Sequence, residues 1–211
     1  MVIANSQSSI TILENGDRLN RDEFERRYTA SNIKKAELIE GIVHVASPLR
    51  FNAHGKPHSQ IIGWLVTYQS MVSELEVGIE PTVRLDRDNE PQPDAVLFRV
   101  GGNAQVDDDD GYINGAPELI AEIAASTVSY DLHSKKCSYE RNGVKEYIVW
   151  RTLDRQIDWF VLENCKYGKL EPDATGIICS REFRGLRLNV NALLNNDMSA
   201  VLKTLQIGLA S

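Results

Sequence analysis

Cysteine is scarce. Cys137, Cys165 and Cys179 are the three in a chain of 211 residues. Their odd number, wide spacing and lack of a CxxC pair exclude a disulfide framework and a zinc ribbon. A reducing, cytoplasmic compartment is expected. Long hydrophobic runs are missing too. The longest apolar-rich stretch, Ile61 to Ser73, has 13 residues and carries Thr67, Gln69 and Ser70, which is too short for a bilayer span. The segment from Met1 to Ile12 has no basic start and no long apolar stretch, so neither a signal peptide nor a membrane partner is expected. Excess positive charge is also absent. Lys plus Arg total 23 against 30 Asp plus Glu, a net charge of −7. That argues against a protein that coats DNA by neutralising many phosphates, while leaving room for a local basic cleft.

What remains is an average globular composition, with 42 % hydrophobic and 25 % charged residues. The length suffices for one substantial core. The polar, aperiodic start predicts a flexible tail over residues 1–18, followed by a single domain over 19–211. Arg21 to Tyr28 has helical composition. Glu37-Leu-Ile-Glu-Gly41-Ile-Val-His-Val-Ala46 places a glycine between two β-rich runs, a hairpin signal. Ser47 to Pro57 reads as a loop. From His58 onwards Ile61, Leu65, Tyr68 and Val72 mark an amphipathic helix. Strands are expected over Val77–Leu85, Asp94–Val100, Glu118–Ala125, Lys145–Arg151 and Gln156–Leu162, with weaker strands to Leu188. A helix is predicted from Val128 to Arg141, stopped by Gly143, and a short one near Asn195–Leu205. The pattern is α/β or α+β, a mixed central sheet flanked by helices with extra C-terminal strands.

Chemistry concentrates in a few places. In Pro117-Glu-Leu-Ile-Ala-Glu122-Ile-Ala-Ala125 both faces of the strand are apolar, so it should be central and covered on both sides. Glu122 is then a carboxylate within an apolar strand and needs a cation: a lysine, an arginine or a metal. Asp94, after Gln92-Pro93, opens another strand, where a carboxylate can bind a hard metal or cap a turn. On the next helix Asp131, Lys135 and Tyr139 share one stripe at four-residue spacing. Lys136, four after Leu132, is the other candidate for an inward lysine, and spacing does not choose between them. Glu37 heads the first β-run and by default is a surface acid. His58 lies one turn before Ile61 on the helix stripe and by default is a hydrogen-bonded histidine. The Asp107–Asp110 run lacks the ligand spacing of a calcium loop and reads as solvated.

In order along the chain, Glu37-Leu-Ile-Glu-Gly41, Ser47-Pro48, His58-Ser-Gln-Ile61, Gln92-Pro93-Asp94, Gly115-Ala-Pro-Glu-Leu-Ile-Ala-Glu122, Ser126-Thr127, Asp131 through Lys135 to Tyr139, and Gly143-Val-Lys-Glu-Tyr147 form an informative set. With them the sequence resembles the restriction-endonuclease family expanded in cyanobacteria, a branch of the PD-(D/E)XK nuclease superfamily, from about residue 21 to 190. The resemblance implies a restriction-endonuclease-like core. Asp94 matches the acid of the Pro-Asp half-motif and Glu122 that of the (D/E)XK half. The superfamily's lysine would fall at Ala124; in this branch it has moved to the following helix, where Lys135 matches. Glu37 matches an acid near the start of the core and His58 a histidine on its first long helix. The proline common after Ser126 is Thr127 here.

The resemblance implies Mg²⁺ or Mn²⁺ held by Asp94, Glu122 and the carbonyl of Ile123, with Asp94, Glu122, Lys135 and Glu37 as the catalytic set. His58, Lys136 and Tyr139 are candidates for substrate contact. DNA is the expected partner. The segment Ala46–Ser73 carries Arg50, Lys56, two histidines and no acids, and His133–Arg155 carries six basic residues against three acids, as local steering requires. Cutting both strands of a duplex favours a two-fold homodimer. The expected function is Mg²⁺-dependent hydrolysis of DNA phosphodiester bonds. A catalytically inactive nuclease-fold binding or accessory module is the alternative, motivated by Ala124 and the net acidity. A metal-free carboxylate-pair hydrolase would leave Lys135 unused.

Overall fold

Alternation of apolar and polar residues, broken by turns, produces the strands of this protein, and its computed structural model describes residues 11–211. Helix α1 (Arg21–Thr29) is capped by Asn20, whose side chain accepts the Glu23 N–H. Strands β1 (Ala36–Ile39) and β2 (Ile42–Val45) form the expected hairpin. Glu40 and Gly41 both take positive φ, 53° and 71°, as a two-residue turn matched to strand twist requires. Of the predicted tail, residues 1–10 lie outside the described residues. The rest is mostly exposed but tied to the fold at two points: Leu13 is buried and the Gly16 N–H donates to the Val43 carbonyl.

The segment read as a loop before residue 58 departs from expectation. Phe51–Gly55 forms a π-helical turn that runs into α2 (Lys56–Met71). Gly55 and Pro57 masked it, yet Pro57 sits in the first helical turn, where proline is tolerated. The single strand predicted over 77–85 is two: β3 (Leu75–Ile79), then a turn with Glu80 at φ 49° before Pro81, then β4 (Val83–Arg84). β4 leaves the main sheet to join β6 (Gln105–Val106) and β7 (Ile113–Asn114). Between them runs β5 (Ala95–Arg99).

The central sheet has six strands in the order β11-β10-β9-β8-β5-β3. β8 (Leu119–Ala124) and β9 (Glu146–Arg151) pair in parallel; β10 (Gln156–Glu163) and β11 (Lys166–Leu170) continue the sheet antiparallel. All six residues of β8 are buried, as expected of a central strand covered on both faces. One face carries Leu119, Ala121 and Ile123 against Ile61, Trp64, Leu65 and Tyr68 of α2. The other carries Ile120 and Ala124 against Tyr139 and Val144. Burial of each large side chain stabilises the fold by roughly 1.5–3 kcal/mol.

The parallel β8–β9 pair needs a crossover. It is α3 (Val128–Tyr130), a π-helical turn over Asp131–Lys135, and α4 (Lys136–Asn142), ended by Gly143 at φ 84°. After the sheet come β12 (Ile177–Cys179), β13 (Arg187–Asn189), α5 (Val190–Leu194) and α6 (Met198–Leu209). The helix predicted near 195–205 is α6, set a few residues later, and α5 precedes it. Trp64 Nε1 donates to the Arg187 carbonyl at 3.0 Å and the Tyr68 hydroxyl to that of Arg184 at 2.9 Å, tying this extension to α2. Among the described residues no helix is long and apolar enough to cross a membrane.

Candidate active site

Four elements converge at the C-terminal half of β8. The strand delivers Glu122, β1 delivers Glu37, the extended segment before β5 delivers Asp94, and the π-helical turn between α3 and α4 delivers Asp131 and Lys135. A π turn inserts an extra residue into a helix and often marks a functional site. Here it lies where Lys135 turns inward.

Lys135 is the hub. Its Nζ donates to Glu122 Oε1 at 2.9 Å, lies 3.0 Å from Glu37 Oε2 and 4.0 Å from Asp131 Oδ1. The Tyr139 hydroxyl donates to the same Glu122 oxygen at 2.8 Å. Asp94 faces the cluster from the neighbouring strand, its Oδ2 accepting the Ile123 N–H at 2.7 Å. Its Oδ1 meets His54 Nε2 at 3.1 Å and Lys35 Nζ at 3.9 Å. His58 Nε2 lies 2.7 Å from the Asp94 carbonyl. Glu37 is held by the Gln92 N–H at 3.1 Å and the Tyr130 hydroxyl at 3.3 Å.

Asp94, Glu122, Asp131 and Lys135 are each 4 % exposed or less, so the electrostatics are strong. Burial pushes the Glu122 carboxyl up to about 8; the Lys135 ammonium opposes the rise, while Asp94, Asp131 and Glu37 reinforce it. Burial likewise raises Asp131. Asp94 ends below its ordinary value, because the His54 imidazole, the Ile123 N–H and Lys135 outweigh its desolvation. Burial alone would lower Lys135, but Glu122, Glu37 and Asp131 hold its ammonium well above the ordinary lysine value. Three carboxylates, those of Glu37, Glu122 and Asp131, therefore share the Lys135 ammonium, and Asp94 beside them is met by His54 and, at 3.9 Å, by Lys35. That is a deficit of positive charge built from hard oxygen donors, the chemistry that suits Mg²⁺ or Mn²⁺.

The structure brings Glu37, Asp94, Glu122, Ile123, Lys135, Tyr139 and His58 together. Lys136 is elsewhere: its Nζ lies 3.9 Å over the Phe160 ring. The choice of inward lysine that spacing left open falls to Lys135. Sequence reasoning missed His54, Tyr130 and Lys35, and it read Asp131 only as a member of a stripe. His54 had a signal in its four-residue spacing from His58, obscured because the intervening glycine and proline suggested a loop.

The comparisons with known proteins bear on the family and the fold. A model of the Uma2 family, described as "Putative restriction endonuclease", matches residues 21–191. Among solved structures, a "putative nuclease belonging to DUF820" from Anabaena variabilis is similar with a TM-score of 0.64 and 16 % identity, over 84 % of this chain and 98 % of that one. No curated protein sequence matches.

Proposed function

The chain belongs to the Uma2 family of restriction-endonuclease-like proteins, and from that premise we propose that it is a Mg²⁺- or Mn²⁺-dependent endonuclease hydrolysing DNA phosphodiester bonds. The observation that carries this reading is the single buried ammonium of Lys135 among Glu37, Glu122 and Asp131, beside Asp94. Asp94, Glu122 and the carbonyl of Ile123 are the residues that would hold the cation. When bound, a divalent cation supplies Lewis-acid stabilisation of a phosphate's developing charge and lowers the pKa of water.

The chain's own residues have distinct tasks. Lys135 and Tyr139 both bind Glu122 Oε1, which fixes that carboxylate and leaves Oε2 for a ligand. The carboxylates favour the protonated form of Lys135, so in the cluster as it stands the lysine orients Glu122 and balances charge. The Ile123 N–H and His54 fix Asp94. Glu37, bridged to Tyr130, holds Lys135 from the hairpin side. Arg50 and Lys56, on the segment leading into α2, supply charge for a nucleic-acid backbone. A cytoplasmic location and a two-fold homodimer, placing one site on each strand of a duplex, complete the reading.

The competing reading, an inactive nuclease-fold module, draws on Ala124, where the superfamily lysine would stand. Lys135 meets Glu122 at 2.9 Å, which supplies the missing ammonium from the helix and weakens that motive. The test is cleavage of supercoiled plasmid with Mg²⁺ or Mn²⁺, beside calorimetric titration of each ion. The parent cleaves only with metal, and Asp94→Asn and Glu122→Gln each lose about 100-fold or more of the rate. A parent that binds no metal at millimolar concentration, or variants that cut like it, overturns the reading.

A further inference from the structure

The site contains a second donor set that differs in kind from the carboxylate cluster. His54, His58 and Asp94 each offer one ligand atom, and these atoms lie within 4.8 Å of one another. We propose that they form a separate metal site for a borderline divalent cation of the Zn²⁺ class, sharing Asp94 with the hard-cation site. This deepens the nuclease reading, on which it rests only through Asp94.

The donor chemistry is the first argument. Mg²⁺ takes oxygen ligands and seldom sheds its waters for imidazole, whereas two imidazoles and a carboxylate with a remaining open position are the ligands of a catalytic-type zinc site. Geometry is the second. His54 Nε2 stands 3.1 Å from Asp94 Oδ1, close to the edge of about 3.4 Å between neighbouring ligands of a tetrahedral ion with bonds of ~2.1 Å. The two rings lie edge to face, 5.6 Å between centroids. The four-residue interval puts them on one side of the helical path, and the π-helical turn over Phe51–Gly55 carries His54 into that line.

Burial is the third. His54 is 8 % exposed, and its Nδ1 is buried without a hydrogen-bond partner. An orphaned buried group costs about 1–3 kcal/mol, and among the described residues no hydrogen-bond partner holds that side of the ring. The contact at Nε2 is what keeps this imidazole in place, and Nε2 is the atom that faces the site.

The experiment titrates Zn²⁺ into metal-stripped full-length protein by calorimetry, with excess Mg²⁺ present. The parent binds Zn²⁺ despite the Mg²⁺. His54→Gln and His58→Gln each weaken Zn²⁺ binding by about ten-fold or more and Mg²⁺ binding by much less, whereas Glu122→Gln weakens Mg²⁺ and leaves Zn²⁺ unchanged. ¹⁵N spectra of the unaltered protein require no variant to fold: Zn²⁺ shifts the ring nitrogens of His54 and His58 and leaves those of His44 and His133. Histidine variants that bind Zn²⁺ like the parent, or unshifted His54 and His58 nitrogens, overturn the site while leaving the nuclease reading standing. Zn²⁺ bound at the histidines without Mg²⁺ binding or cleavage supports this site and sinks the nuclease reading instead.

Discussion

A lysine buried among three carboxylates does two jobs, and substitution separates them. Lys135→Met removes the ammonium that, among the described residues, Glu122 touches and leaves several buried acids uncompensated. Breaking such a cluster on one side costs about 3–5 kcal/mol, read by urea unfolding at neutral pH. The deficit should shrink towards pH 5, as the burial-raised Asp131 takes up a proton, and grow above about pH 8, where Glu122 loses its own. An equal loss at both pH values would mean that packing, not charge, is what Lys135 contributes. A second buried acid makes a pH prediction outside the site. Glu90 is 1 % exposed, neither of its carboxyl oxygens is served by a donor, and burial, with Glu25 facing it, raises its carboxyl to about 9. A folded value above the unfolded one means the native state holds the proton more tightly. The stabilisation is full below about pH 4.5 and drains away as pH rises through about 9. Glu90→Gln keeps the neutral form, flattens that slope and gains about 1–3 kcal/mol at pH 8. Unfolding curves of parent and variant from pH 5 to 9 decide it; parallel curves refute it.

At the scale of elements, the two parallel strands β8 and β9 each bury a glutamate, and only one belongs to the site. Glu146 of β9 accepts the N–H groups of Arg181 at 2.6 Å and Glu182 at 3.0 Å on one oxygen, and Ser180 and Trp159 at 2.8 and 3.2 Å on the other. It anchors the C-terminal extension to the sheet. Glu146→Gln turns an amide nitrogen towards two of those donors and should cost about 2–3 kcal/mol by thermal unfolding, with Mg²⁺ affinity intact; a variant as stable as the parent removes the anchor role. Elements of this kind set how far the fold could be read. The β1–β2 hairpin, α2, β8 and the Gly143 stop were legible because periodicity and turn chemistry agree there. The break between β3 and β4 was not, since Val77 to Leu85 reads as one β-rich run and only Glu80 and Pro81 mark the corner. The same limit governs the site. Glu122 was legible because a charge inside an apolar strand demands a partner, but which lysine answers it depends on the π turn at Asp131–Lys135, whose extra residue leaves no trace in side-chain spacing. His54 was lost for a different reason, since Gly55 and Pro57 made its segment read as a loop.

Across the whole molecule the net charge of −7 and the buried acids pull against a polyanion, while Arg50 and Lys56 lie on the segment that leads into the site. Part of the acidity is balanced locally: Arg84 meets Asp110 at 2.6 Å, so the acidic run at residues 107–110 is partly neutralised within the fold. The site is less so: Glu37, Glu122 and Asp131 gather on the Lys135 ammonium, and Asp94 has His54 and, at 3.9 Å, Lys35. Above about pH 8, where Glu122 is ionised as well as Asp94, a phosphate approaching the metal-free protein therefore meets repulsion from both, and a bound dication inverts the local field. DNA affinity should thus depend on metal before any bond is cut. Binding of a fluorescent duplex, measured by anisotropy at low salt, should be weak in chelator and strengthen about ten-fold or more with Ca²⁺, taken here as a cation that fills the site without driving cleavage. The double variant Asp94→Asn with Glu122→Gln removes two charges without changing shape. It should bind DNA more tightly than the parent in chelator, lose most of the response to Ca²⁺, and keep the same dependence on salt, because the phosphate-contacting basic residues are untouched. A double variant that binds more weakly than the parent without metal would mean that these acids support the DNA surface structurally and do not repel it, and the charge argument would fall with it.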